Sequence, residues 1–392
     1  MHSAKVIPYG HQWVDESDIQ EVVKVLKSDW LTQGPKIKEL EQSLCEYTGA
    51  KYAVVVSSGT AALHIACLSA GIKQGDKAIT SPITFLASAN CILYCDAKPV
   101  FADVQEGTAN IDSMSIIRKI DKNTKAIIPV HYAGLPAEIE KIRNIARKNN
   151  LIVIEDACHA LGAEHKGERI GKCKHSDMTI FSFHPVKSIT MGEGGAITTN
   201  NKKLYEKLLM FRNHGIMRDK KRFRSVNSSS FSYGGWYYEM QELGFNYRIT
   251  DFQCALGISQ LKKVNKFVRR REGIAKRYSK AFKNNDFFDL PIENNDARPS
   301  WHLYPIRLKG KYKDRKKTIF SRLRQKKLWV QVHYIPVYWH PFYQRLGYKS
   351  GICPQAEYFY EREMSIPLYQ SMSDRDVKYV IGTILKEFKA IK

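Results

Sequence analysis

The chain has 392 residues, 43% hydrophobic and 26% charged, a balance expected of a globular protein with one large domain and a smaller one. The start, MHSAKVIPYG, lacks the apolar core of a secretory leader, and no run of about 18 apolar residues occurs, so a membrane span is not expected. The net charge of +23 comes from lysines and arginines spread along the chain without a nucleic-acid-binding motif, so a solvated basic face is expected and a nucleic-acid partner is not.

In chain order, Met1 to Trp30 reads as an extended arm and an amphipathic helix. Asp15 or Ser17 is its expected cap, and Ile19, Val22, Val23 and Leu26 form its apolar stripe. From about Ala50 the pattern turns to repeated α/β units. Lys51 to Ser57 is a β-branched strand, and SGTAALHIACLSAG is a helix closed by Gly71. KAITSP, KPVFADV, KAIIPVH and LIVIEDA are further apolar strands. Helical stretches fall between them, near Ile111 to Ile120 and Ala137 to Asn149. Arg218 to Glu239, rich in Ser, Gly and Tyr, reads as a long mobile loop. A basic helix follows from Ile249 to Phe282, then a short strand near Leu303 to Leu308 and terminal helices.

Apolar strands alternating with helices predict a mostly parallel sheet covered on both faces. Residues 1–249 are expected to form the arm and a large α/β domain, and residues 250–392 a smaller C-terminal α/β domain. The eight cysteines include no CxxC pair, so free thiols in a cytoplasmic protein are expected, with neither a disulfide framework nor a metal site.

Ligands gather at the carboxyl ends of strands in such sheets, and the polar residues of interest fall there. Ser58, Gly59 and Thr60 open a helix directly after a strand, a place where backbone N–H groups meet anions. Ser-Gly-Thr is also an everyday helix cap. Asp156 ends the apolar strand LIVIED, where a turn aspartate is equally common. Lys187 follows MTIFSFH and precedes the glycine-rich turn Gly192 to Gly195. By itself it is one basic residue among 62, and its setting is what singles it out. GEGG lacks the spacing of a dinucleotide fingerprint, and no GxxxxGK[ST] loop is present.

The motifs LTQGPKIKELEQ, VSSGTAALHIA, SPITFLASAN, KPVFADV, VIEDACHALGA, SFHPVKSITMGEGGAI and LGFNYRITDFQCALG, in that order, resemble the DegT/DnrJ/EryC1/StrS family of sugar aminotransferases. The resemblance implies a fold-type I enzyme that uses pyridoxal 5'-phosphate (PLP). This cofactor needs a lysine amine, a carboxylate at its ring nitrogen, donors for its phosphate and a flat group on its ring. By the resemblance Lys187 holds the cofactor and moves the proton, and Asp156 faces the ring nitrogen. His159 contacts the phenolic oxygen, and Phe85 stacks on the ring. Gly59, Thr60 and Ser182 hold the phosphate, and Asn246 reaches it from the neighbouring subunit of a homodimer with a shared site. Relatives with histidine in place of the lysine are dehydratases, so Lys187 favours transamination, with L-glutamate as the usual donor.

VQVHYIPVYWHPFYQRLGY, YGHQWVDESD and SDWLTQG are similar to the branch of that family in pseudaminic acid biosynthesis. That likeness implies a UDP-linked 4-keto-6-deoxy-N-acetylhexosamine as amino acceptor. Tyr9, Trp30, Leu31 and Thr32 then line the sugar and nucleotide pocket, with His333 and Tyr334 reaching in from the partner chain. A basic face would steer such a diphosphate inward. Other acceptors in the family lead to perosamine, 4-amino-4-deoxy-arabinose or bacillosamine. A non-catalytic PLP-fold regulator or basic nucleic-acid-binding protein is the remote alternative.

Overall fold

A computed structural model describes residues 6–224, 234–294 and 296–391; of the loop expected from Arg218 to Glu239, residues 225–233 lie outside them. The largest sheet has seven strands: β1 Tyr52–Val56, β2 Lys77–Thr80, β3 Lys98–Phe101, β4 Thr124–Ile128, β5 Ile152–Asp156, β6 Met178–Ser182 and β7 Gly195–Thr199. Their spatial order is β1-β7-β6-β5-β4-β2-β3. Only β7 runs against its neighbours, so β1 points the same way as the parallel strands. The carboxyl ends of β1, β2, β4, β5 and β6 therefore open on one edge.

Alternation along these strands explains their nearly unbroken apolar sequences. Val54 and Val56 of β1 join one buried cluster, and Ala53 and Val55 join another on the opposite face. Ile180 and Phe181 of β6 divide the same way. Covering both faces leaves no room for a polar alternation. The expected α/β architecture is what the chain adopts.

A second sheet, antiparallel and three-stranded, contains β8 Phe288–Asp289, β9 Tyr304–Leu308 and β10 Glu363–Ile366, in that spatial order. The helix Asp251–Ala281 links the two sheets. Its first half, from Cys254 to Val268, packs into a cluster beside β1, β6 and β7. Its second half, from Ile274, packs into the cluster around β9 and β10. The arm residues Ile7–Pro8 pair in parallel with Leu328–Trp329, which ties the arm to the C-terminal part.

The first helix, Glu16–Leu26, is capped by Asp15, but of its apolar stripe only Val22 and Val23 are half-buried. Ile19 and Leu26 are exposed, while Asp18 is fully enclosed against the long helix. Asp18 accepts hydrogen bonds from Ser259 Oγ (2.6 Å) and Gln260 Nε2 (2.7 Å), and Lys263 Nζ lies 2.8 Å away. A buried carboxylate is tolerated only with such partners, and periodicity of apolar residues does not reveal them.

Candidate active site

Loops from the carboxyl edge of the large sheet and a segment beside β10 enclose a cavity of about 610 Å³. Asp156, at the end of β5, is buried in its wall. Its carboxylate accepts from Ser88 Oγ at 2.5 Å and from the Cys158 backbone N–H at 3.1 Å. The Ser88 hydroxyl lies 2.7 Å from Thr84 Oγ1, so a short polar chain fixes the orientation of Asp156.

Lys187 stands on the turn between β6 and β7 and lines the same cavity. Burial lowers the pKa of its amine, and the nearby Cys158 and Asp156 only partly oppose this. The backbone here is anchored twice. Lys187 N donates to His184 O at 2.9 Å, and the fully buried Arg271 guanidinium donates to Lys187 O at 3.5 Å. Arg271 also donates to the carbonyls of Trp301, His302 and Leu368, which joins the lysine turn to the C-terminal part.

On another wall, the helix Gly59–Ser69 presents its N-terminus to the cavity. Its first N–H groups have no intrahelical acceptor, so this end suits an anion. Ser182, closing β6, packs directly over Gly59: a Cβ there would stand 2.9 Å from Ser182 Cβ. At Gly195 a Cβ would meet Ser58 O at 2.3 Å. Glycine at both places lets β6, β7 and the helix start converge.

Phe85 is 59% exposed although it lines the cavity, so it is not core packing but a flat apolar face turned to the opening. These groups fit the cofactor implied by the resemblance: an amine, an oriented carboxylate, a helix N-terminus with hydroxyls, and an exposed aromatic ring.

One expectation is revised and another is located. His159 borders the cavity. Nε2 lies 3.1 Å from Tyr334 Oη, and Nδ1 is enclosed without a partner beside the His302 ring, whose centroid is 4.2 Å away. His333 and Tyr334 line the cavity of their own chain, together with Tyr9, rather than reaching in from another. The reason is local: Gln331 pairs with Ser365 of β10, which carries the following residues over the cavity.

The structure does not bring Trp30, Leu31, Thr32 or Asn246 to this cavity. Leu31 O accepts from Asp251 N at 2.9 Å, and Thr32 bridges to Thr250, which pins that segment to the start of the long helix. Asn246 is exposed and bridges to Asn213.

Sequence reasoning missed Ser88 and His302. Ser88 lies within the motif SPITFLASAN, one helical turn after Phe85, and that spacing was the available signal. No pattern marks His302. Burial pushes His159 and His302 far below the usual imidazole range and His333 down to about 3, so all three rings are neutral near pH 7. Among the described residues no cluster suited to a metal ion occurs, and no helix is long and apolar enough to cross a membrane.

Known proteins resemble this chain in sequence and fold. The UDP-4-amino-4,6-dideoxy-N-acetyl-beta-L-altrosamine transaminase of Campylobacter jejuni is 41% identical over 99% of both chains. Helicobacter pylori PseC, an aminotransferase involved in the biosynthesis of pseudoaminic acid, superposes with a TM-score of 0.90 at 34% identity, covering 99% of this chain and 100% of that one. The PLP form of Spr1654, a putative sugar aminotransferase of Streptococcus pneumoniae, gives 0.90 at 29% identity with the same coverage. The model of the DegT/DnrJ/EryC1/StrS aminotransferase family matches residues 12–385. Sequence, fold and the convergence on Lys187 therefore agree, and the chain belongs to the DegT/DnrJ/EryC1/StrS family of aminotransferases.

Proposed function

We propose that this PLP-dependent sugar aminotransferase moves an amino group from L-glutamate to C4 of UDP-2-acetamido-2,6-dideoxy-beta-L-arabino-hex-4-ulose. The product is UDP-4-amino-4,6-dideoxy-N-acetyl-beta-L-altrosamine, and the step belongs to pseudaminic acid biosynthesis. The observation that carries this reading is the 41% identity with a transaminase of that name, sustained over 99% of the chain.

Bound PLP supplies an electron sink for the pair left when a C–H bond breaks. The chain's residues do the rest. Lys187 Nζ holds the cofactor, takes the proton from the α-carbon of glutamate and later delivers one to sugar C4. Its lowered pKa keeps more of the amine in the free-base form, as a general base requires. Asp156, oriented by Ser88, would sit against the ring nitrogen. The start of the helix Gly59–Ser69, with Thr60 and Ser182, binds the phosphate, and Phe85 covers the ring face. Burial raises the Tyr9 and Tyr334 phenols, so both remain O–H donors at the sugar end.

The same reading includes a homodimer with a shared site. Trp30, Leu31, Thr32 and Asn246 lie outside their own cavity, and Trp30 is 56% exposed, as expected of residues that serve a second subunit. The substrate assignment is tested with a panel of UDP- and dTDP-linked keto-sugars and glutamate, following amino-sugar formation. Turnover confined to the UDP-linked 4-keto-N-acetylhexosamine is the expected result; turnover only with a dTDP-sugar contradicts it.

A further inference from the structure

A buried carboxylate, Glu363, lies behind the cavity wall and has no part in the chemistry assigned to Lys187 and Asp156. It sits on β10 and is fully enclosed, as is Ser365 two residues on. Glu363 Oε2 accepts the backbone N–H of His333 at 2.7 Å. Glu363 Oε1 accepts Ser365 Oγ–H at 2.6 Å, and Ser365 Oγ lies 2.9 Å from His333 Nδ1. Three residues thus form one chain that ends on a ring lining the cavity.

Counting protons along this chain fixes the ring. An ionised carboxylate only accepts, so the single Ser365 hydroxyl proton goes to Glu363. The oxygen of Ser365 must then accept from His333, which places the ring proton on Nδ1. His333 Nε2 has no partner among the described residues and is left with a bare lone pair. We infer that Glu363 and Ser365 hold His333 in its Nδ1–H tautomer, so that Nε2 serves in the cavity as a hydrogen-bond acceptor for an O–H or N–H donor of the sugar substrate. Only the identity of that donor, a hydroxyl or the acetamido N–H, rests on the nucleotide-sugar reading above. Glu363 and Ser365 are positioning residues, and His333 is the specificity-determining one.

The chain can also run backwards. If Glu363 carries a proton on Oε1, it donates to Ser365 Oγ, Ser365 donates to His333 Nδ1, and the ring proton must sit on Nε2. One proton is gained overall, and the cavity atom changes from acceptor to donor. Burial pushes the Glu363 carboxyl up to about 7 against the pull of Lys316, which places this reversal near neutral pH. The other titratable groups around the ring are Tyr9, Tyr132, Tyr334, Lys187, His159 and His302. Lys187 disfavours charge on His333, and the buried tyrosines stay protonated, so Glu363 is the group that reverses the chain.

The test is nitrogen NMR of the holoenzyme labelled with 15N-histidine, with the His333 signals identified by their loss in His333→Gln. In the wild type above neutral pH, Nδ1 should give the pyrrole-type signal and Nε2 the pyridine-type signal. Glu363→Gln keeps the volume, but its amide donates to Ser365, so the two signals should exchange. Ser365→Ala should leave a mixture of both tautomers. The KM for the UDP-sugar should rise by about fivefold in Ser365→Ala, the worth of one neutral hydrogen bond, and by about tenfold or more in Glu363→Gln, where donor meets donor. A wild-type ring protonated on Nε2, or a Glu363→Gln ring unchanged from wild type, overturns the inference. So does an unchanged sugar KM in both variants. Expected spectra without turnover of any UDP-keto-sugar support the ring assignment and overturn the substrate reading instead.

Discussion

The cavity wall around Asp156 and the surface around Trp30 and Asn246 are both expected to serve one reaction, yet they are made differently. Asp156 is enclosed at a strand end and held by Ser88 and a backbone N–H. Lys187 is anchored through its backbone to His184 and Arg271. Trp30 and Leu31, 56% and 49% exposed, and the exposed Asn246 do not line their own cavity. The contrast teaches that the groups suited to the cofactor are enclosed within one chain, while the proposed role of the exposed ones requires a second copy.

The largest effect that would break this division is at Asp156. Asp156→Asn should lower kcat by about 100-fold or more, the scale of a lost charge interaction at the reacting centre, with the fold intact by circular dichroism. If its activity stayed within a few-fold of wild type, the cavity wall would not be the electronic end of the site.

Complementation between chains sharpens the other half. Lys187→Ala and Asn246→Ala chains should each be weak, but coexpressed they form mixed dimers with one intact site, restoring about a quarter of wild-type activity. No restoration would mean that Asn246 acts within its own chain or not at all.

Smaller effects come from supporting groups. Ser88→Ala removes a hydrogen bond to a carboxylate and should cost about 1.5–3 kcal/mol of transition-state stabilisation, roughly a tenfold to hundredfold loss in kcat/KM. The corresponding loss for a surface serine would be negligible.

Stability against pH tests the neutral histidines. His159, His302 and His333 have folded pKa values depressed below 6.5, so between the folded and unfolded values the unfolded chain binds more protons. Their contribution is complete above 6.5 and is lost as pH falls, down to about 3 for His333. Glu363 runs the opposite way: its value is raised to about 7 from 4.5, and its contribution is lost as pH rises through that window. Three groups outweigh one, so denaturation midpoints should fall from about pH 7 to about pH 5, by up to roughly 1.4 kcal/mol per unit for each histidine. Flat midpoints across that range would mean that these rings titrate freely.

Much of this was legible in the sequence, for physical reasons. Buried parallel strands leave near-continuous apolar runs, and the polar residue that ends each run marks the ligand edge, which is how Asp156 and Lys187 stood out. The glycines at 59 and 195 lay in readable motifs because close approach of backbone permits nothing larger. What could not be read depends on contacts across the chain. Asp18 is buried by partners more than 240 positions away, and no periodicity encodes that. His333 was expected from a partner, but the bridge of nearby Gln331 to Ser365 of β10 keeps it at home. The contact of His159 Nε2 with Tyr334 spans 175 positions, and no local pattern encodes it.

The central claim is that Lys187 is the group that carries the cofactor and moves the proton. The most direct measurement is the absorbance spectrum of purified holoenzyme before and after L-glutamate, in wild type and Lys187→Ala. The account predicts a glutamate-dependent loss of the yellow PLP band in the wild type, faster as pH rises along a limb centred below 10.5, and no such shift in the variant. A Lys187→Ala protein that still converted its cofactor and turned over sugar would contradict it.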